Sequence, residues 1–313
     1  MAKFRGTVSD QPRLISDLRT ELARKILAHA HAEGDNPTPI EGFSLYRRSA
    51  PTACASATYQ PSLVIFVQGQ KRINLGAVTY LCDETNFLLT SIDLPVVSQV
   101  INATPEAPIL GILLRLEIPL VRQIVNQEEV PFEATSETRG MAVGVSSAQL
   151  LDACSRLVDL LDAPQDISFL GGLIQREIIY RLLRSPQGKH LRAIATSGEQ
   201  SNRTARAVAW LRENYTRPLR VEELASIAKM GVSTLHHHFR SLTAMSPLQY
   251  QKHLRLHVAR ERMLHEGLDA ATAAFEVGYE SASQFNREYS RFFGEAPMRD
   301  IKARRQAIAT TPA

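Results

Sequence analysis

The chain has 313 residues, 44% of them apolar, a net charge of +4 and three cysteines. That length suggests roughly two domains, and no uninterrupted apolar run approaches the ~18 residues of a membrane span. The start, MAKFRGTVSD, has no apolar signal core, and Cys54, Cys82 and Cys154 lack metal-like spacing, so a reduced cytoplasm is the expected compartment.

Residues 1–40 read as an N-terminal helix, with Leu14, Leu18, Leu22 and Ile26 spaced by four between Leu14 and Ala32. His29 and His31 fall on its polar side and read as solvated. GDNPTP then breaks it.

From Gly42 the period changes. FSLYRRSA, SLVIFVQG, QKRINLG, VTYLCD, NFLLTSI, VVSQVI and ILGILLRLEI are short β-branched or aromatic runs, punctuated by Gly69, Gly76, Asp83 and Pro105. Such runs at short intervals predict an antiparallel sandwich or barrel over 41–118. Tyr46, Arg47, Gln68, Arg72 and Tyr80, with Lys71 beside them, are the polar or amphipathic residues that can meet a ligand there. Ordinary strand surface accounts for each of them equally well. Cys54 and Cys82 have no Lys, Arg or His next to them, as a sensing thiol would want, and read as small hydrophobes.

Residues 119–196 form a helical region. Pro119 to Asn126, Ala148 to Leu161 and Ile167 to Leu183 are helical in pattern, and SETRGMAVGVSS between them is loop-like. SPQGKH ends this layer. ATSGEQSN is polar enough for an interdomain linker, set at 197–202, which implies that the two halves fold independently.

The stretch 203–305 opens with a helix from Arg203 to Tyr215, whose Trp210 reads as core, and continues as one helical unit written twice. Ala225 and Lys229 recur 49 residues later as Ala274 and Gly278. Leu235, Phe239 and Pro247 recur 50 residues later as Phe285, Tyr289 and Pro297. Spacing kept over three elements, with a slip confined to a turn, is the mark of a duplicated helix-turn-helix. Each second helix has an apolar stripe and a polar face. Ser233, His236, His237 and Arg240 form the first face, and Ser283, Asn286, Arg287 and Ser290 the second. Such groups suit base edges and phosphates. Asp269, Ser281 and Ser246 are placed as helix caps, the last followed by Pro247. The long helix after Ser246 joins the two units. On it Lys252 can reach a phosphate, and Arg255 either does the same or pairs internally. His236, His237 and His238 point about 100° apart and cannot share a metal. His253 and His257 lack a third ligand and read as surface. From Glu199 onward there are 17 Lys/Arg against 12 Asp/Glu, the basic footprint of a polyanion partner. Residues 306–313 read as a tail.

These words carry a resemblance. VEELASIAKM, STLHHHFRSLTAMSPLQYQKHLRL, AFEVGYESASQFNREYSRFFG and Pro297 resemble the DNA-binding domain of AraC/XylS-type transcriptional regulators. Gly231 stands where that family usually has a capping Ser, a loss of only a few tenths of a kcal/mol. LVIFVQGQKRINLG and LLTSIDLPV resemble the N-terminal domain of one AraC-type subfamily, over about residues 40–195, with a fold similar to a cupin jelly roll. The resemblance implies an α+β chain, in which a cupin-like antiparallel β domain with flanking helices precedes an all-α double helix-turn-helix domain. It also implies a dimerisation role for the helices of 119–196.

Cupin catalysis usually needs a metal held by histidines and a carboxylate. Between His31 and His190 there is no histidine, which argues for a binding pocket without metal or cofactor. The expected function is a ligand-responsive, sequence-specific transcriptional regulator. Its partners would be double-stranded DNA, a small-molecule effector and a second copy of the chain, with RNA polymerase as a further candidate and no membrane. The competing classes are a DNA-binding regulator without a ligand, told by indifference to every metabolite, and a cupin-type enzyme fused to a DNA-binding domain, told by metal and turnover.

Overall fold

The computed structural model describes residues 11–127, 139–196 and 198–309. Residues 1–10, which include the start read for a signal core, lie outside this set. So do residues 310–313 of the tail. Helix α1 (Gln11–His29) buries Leu22 and Ile26 completely. Strands β1 (Gly34–Pro37), β2 (Phe43–Arg48), β3 (Ala55–Tyr59), β4 (Ser62–Gln68), β5 (Gln70–Leu75), β6 (Val78–Cys82), β7 (Asn86–Thr90), β8 (Leu94–Asn102) and β9 (Ile109–Arg115) follow. After α2 (Ile118–Gln127) comes β10 (Met141–Val145). They form a six-stranded sheet, β1-β2-β9-β4-β7-β10, and a four-stranded sheet, β3-β8-β5-β6, with antiparallel ladders.

The sheets pack face to face, and β4 shows why. Its run SLVIFVQ is buried almost throughout. Leu63, Ile65 and Val67 face a helical layer, while Val64 and Phe66 face the other sheet. A strand covered on both faces loses polar alternation. β5 keeps it: Ile73 and Leu75 are buried and Arg72 is exposed. Gly69, with φ +81°, carries the chain from one sheet to the other, and a Cβ there would collide with Ile109.

The helical layer is α1 with α3 (Ala148–Asp159), a π-turn over Ile167–Gly171, α4 (Gly172–Leu183) and α5 (Gly188–Ala195). Helices α6 (Gln200–Glu213), α7 (Val221–Ala228), α8 (Val232–Thr243), α9 (Pro247–His265), α10 (Ala270–Glu276), α11 (Ala282–Phe293) and α12 (Pro297–Ala309) complete the chain.

Several local readings are corrected. GDNP does not merely break a helix; it is edge strand β1, paired only with β2, a position where a terminal Pro37 interrupts no second ladder. Within SETRGMAVGVSS, residues 136–138 lie outside the described residues, but Met141–Val145 pairs with β7. After SPQGKH begins, Gly188–Ala195 is helical.

The linker is corrected too. Ser197 is not described, but α6 already starts at Gln200, and Asn202 Nδ2 donates to Ile194 O. The halves on either side share one apolar cluster. It includes Ile73, Ile92 and Leu94 from the sheets, and Leu211, Phe239 and Tyr250 from the helices. Tyr250 Oη donates to Asp93 O at 2.9 Å, Arg212 pairs with the Asp93 carboxylate at 2.8 Å, and Gly140 N donates to Leu242 O. Apolar residues of α8 and α9 that look like private core are therefore common property. The second motif has its own cluster, around Leu256, Phe285, Tyr289 and Ile301.

Tyr250→Phe leaves the Asp93 carbonyl unsatisfied inside this junction and is expected to cost about 1–3 kcal/mol, read by urea denaturation of the full chain. A change within ~0.5 kcal/mol, the range of ordinary surface substitutions, would show that this bond does not hold the halves together.

Candidate nucleic-acid interface and interior cavity

Each helix-turn-helix is built by the same local devices. In the first, α7 ends at Lys229 in the left-handed region, φ +53°, and α8 starts at Gly231 with no side-chain cap. In the second, Asp269 caps α10 through the amides of Ala271 and Thr272, and Ser281 caps α11 through that of Gln284. The left-handed turn residue there is Gly278, φ +92°, where any Cβ would collide with Thr216 O. The second helices of the two motifs, α8 and α11, end alike, at Ala244 (φ +60°) and Gly294 (φ +84°). Helix α9 joins them through a Ser246 capping box with Pro247 at its first turn.

The buried stripes are as the spacing predicts: Leu235, Phe239 and Leu242 on α8, and Phe285 and Tyr289 on α11. Ser233, His236, His237 and Arg240 are exposed on α8, and Ser283, Asn286 and Arg287 on α11. Ser290 is half-buried, and its hydroxyl donates back to Asn286 O. Lys252 is ion-paired with Glu288 at 2.9 Å, which fastens α9 to α11. Arg255 turns inward to the carbonyls of Tyr215, Thr216 and Arg217, which leaves little of its guanidinium for a phosphate. His253 and His257 are not surface groups. They pack on Phe292, at 4.4 and 5.5 Å between ring centroids, and burial pushes their pKa values down to about 4 and about 3. Behind α11, Asp300 accepts hydrogen bonds from Nε and one Nη of the buried Arg260 and from the Tyr289 hydroxyl.

The α8 face is not wholly open. His236, His237 and Arg240 line one side of a cleft of about 540 Å³, and Val78 and Arg139 of the sheet domain line the other.

A second space, of about 310 Å³, lies between the two sheets. Val64, Phe66, Ile73 and Leu88 give it apolar walls, and Asp35, Tyr46, Tyr59, Lys71 and Arg115 add polar groups. The Lys71 ammonium lies 4.8 Å from the Tyr46 ring centroid and 5.8 Å from that of Tyr59. Burial alone would lower the Lys71 pKa, but Tyr59 and Tyr46 outweigh it and the balance is upward. Of the sequence candidates only Tyr46 and Lys71 line this cavity. Arg47 points to the other face of β2, where its guanidinium donates to His31 O. Gln68 donates to Pro108 O, Arg72 is exposed on the outer face of β5, and the Tyr80 hydroxyl donates to Met141 O. Asp35, Tyr59 and Arg115 are polar lining residues that sequence reading missed. A β3 strand assigned to ASATY would have pointed to Tyr59. Cys82 and Cys154 are buried, which pushes the Cys82 thiol up to about 12 and Cys154 higher.

Residues 39–190 match the family described as AraC-type transcriptional regulator N-terminus, and residues 224–303 match a helix-turn-helix domain family. The chain belongs to the AraC/XylS-type transcriptional regulators. This regulator is 25% identical over 237 residues to the HTH-type transcriptional activator RhaS of Salmonella schwarzengrund, which spans 75% of this chain and 79% of that protein. RhaS of Klebsiella pneumoniae is 30% identical over 121 residues, 38% of this chain and 43% of that one. An apo single-residue variant of ToxT from Vibrio cholerae shares the fold, with a TM-score of 0.54 at 11% identity over 85% of this chain and 98% of that one. Unsaturated fatty acid bound ToxT superposes with a TM-score of 0.50 at 10% identity, over 83% and 94% of the two chains. AraC-type regulators bind DNA, and in this regulator α8 and α11 carry the exposed polar faces of the double motif. No described helix is long and apolar enough to cross a membrane.

Asp300 is what keeps the second of those faces in place. Asp300→Ala strands the buried Arg260 guanidinium and frees Tyr289 of α11, and is expected to lose roughly 3–5 kcal/mol, read by thermal or urea unfolding. Stability equal to the parent would show that solvent takes over the role of Asp300.

Proposed function

We propose that the chain is a one-component regulator in which an effector held between the sheets changes how α8 and α11 are presented to DNA. The observation that carries this is the continuity of the cavity with the DNA-binding half. Strands β3 and β8 help line the cavity through Tyr59 and Ser98, and both strands touch α9, the rod between the recognition helices. Val64, Phe66 and Ile73 belong to the same apolar cluster as Phe239 of α8. A ligand acts only through different affinities for two states of the whole molecule. Here the states would differ in how the sheet domain seats the first motif. The fatty acid bound to ToxT supports a small-molecule ligand, and regulator relatives support binding over catalysis.

Asn286 and Arg287 on α11, with Ser233, His236 and His237 on α8, are proposed to read bases. Arg240 and Ser283 flank them, and Ser290 sits at the margin. Lys252 would reach a phosphate only by exchanging Glu288 for it, a small cost for a partly exposed pair. Helix α9 holds the recognition helices to successive major grooves, about one helical turn apart on one DNA face. Footprinting should show two protected blocks per domain. Arg287→Ala is expected to cost about 1–3 kcal/mol on the preferred site and to relax specificity at one position, measured by titration of operator variants. An equal loss on every sequence would instead put Arg287 on a phosphate.

A homodimer is proposed through α3, the π-turn and α4. Phe169, Leu170 and Leu173 are exposed apolar groups there, beside a groove of about 370 Å³ edged by Arg156 and Glu177. Leu173→Arg is expected to shift the full chain from dimer to monomer in sedimentation velocity, and an unchanged dimer would move the interface elsewhere. The same reading places the protein in the cytoplasm, with RNA polymerase among its partners.

A further inference from the structure

We propose that the cavity between the sheets is built for a small amphipathic organic anion. The acid group of a monocarboxylate would sit at the Lys71 ammonium, and its hydrocarbon body on Val64, Phe66, Ile73 and Leu88. This rests on the reading of the cavity as the effector site and specifies its chemistry.

Lys71 alternates along β5 with Ile73 and Leu75, both fully buried, so it projects into the sandwich where the strand otherwise carries aliphatic side chains. It is held between the rings of Tyr46 and Tyr59, which fixes the stem and aims the charge. Among the described residues no carboxylate oxygen comes within 4.0 Å of its ammonium. The Tyr59 hydroxyl accepts a hydrogen bond from it and the Asp35 carboxylate acts on it only from beyond 4.0 Å, and a cation so partly satisfied in a mostly closed space is costly to fold. An apolar residue would serve the core better, so the charge calls for a partner that arrives from outside. The lining is net positive, with Lys71 and Arg115 against Asp35, which selects an anion and rejects a cation.

The rest of the lining narrows the class. Val64, Phe66, Ile73 and Leu88 offer a ligand no hydrogen bonds, so the part lying on them is hydrocarbon, while Thr58, Gln60, Ser62 and Ser98 complete the polar side of the lining. A single ammonium between two phenols matches one carboxylate and gives few donors for a phosphate dianion. The cavity, about 310 Å³, lies at the small end of the ~300–1,000 Å³ typical of small-molecule sites, which fits a monocyclic aromatic acid or a medium-chain aliphatic one.

The test compares benzoate, phenylacetate and octanoate with benzamide, phenylacetamide and octanamide on the full chain at constant ionic strength, by thermal shift and calorimetric titration. At least one acid should raise the melting temperature with dose and bind at least tenfold tighter than its amide. Lys71→Met should lose at least tenfold in affinity for that acid and none for the amide, while Lys71→Arg keeps most of it. Without ligand, Lys71→Met should melt no lower than the parent, which a merely structural lysine would not allow. An amide that binds as well as its acid, or an acid still held by Lys71→Met, overturns the anion assignment and leaves the cavity as an effector site of other chemistry. If neither acids nor amides bind, the effector-site reading fails together with this one.

Discussion

The structure depends on one apolar cluster being shared between the sheet domain and the first helix-turn-helix. Leu94 and Val96 of the four-stranded sheet and Leu235, Phe239 and Tyr250 of the helices exclude water together. Burial of this kind is strong but non-directional, so it fixes proximity and not register. The register comes from polar contacts at the seam: the Tyr250 hydroxyl on Asp93 O, Arg212 on the Asp93 carboxylate, and the Gly140 amide on Leu242 O. Asp93 serves two helices at once, its backbone holding α9 and its side chain holding α6.

The two motifs are thus held by different means. The first is seated on the sheet domain. The second has a separate cluster and a separate polar knot, in which Asp300 joins α9, α11 and α12 through Arg260 and Tyr289. Helix α9 is common to both. A change in the sheet domain therefore reaches the first motif directly and the second through α9 and the turn at residues 215–217. The cleft between His236, His237 and Arg240 on one side and Val78 and Arg139 on the other places part of the first polar face beside the domain that would sense the signal. DNA entering that cleft and the sheet domain lining it would be competing neighbours, which gives the seam the character of a two-state element.

What the sequence determined by itself was local. The duplicated spacing from Ala225 to Pro297 was legible because a helix-turn-helix is specified by short-range terms: apolar residues on one stripe, small residues at crossings, caps at Ser246, Asp269 and Ser281, and a left-handed turn at Gly278. The polar faces of α8 and α11 follow from the same periodicity. Six or seven residues of alternating or wholly apolar pattern likewise announced β4, β5 and β9. The short edge strands were not announced: Gly34–Pro37 and Ala55–Tyr59 carry weak patterns and exist because a neighbour offers a free edge. Met141–Val145 reads as loop until β7 is there to pair with it.

Only the tertiary structure decided which residues share a space. Strand parity puts Tyr46 and Lys71 inside and sends Arg47 and Arg72 away, but that parity has meaning only once the sheet's two faces are known. Lys252 and Arg255 sit one turn apart on α9, and the choice between solvent and an internal partner was made by Glu288 and by the carbonyls of residues 215–217, far away along the chain. The polar stretch at 197–202 looks like a tether because its residues are polar, whereas contacts that join the halves come from residues over a hundred positions apart. Caps, turns and amphipathic stripes are written within a few residues and survive in a bare sequence. Shared cores, cavities and ion-pair partners are set by chain closure, which no local window contains.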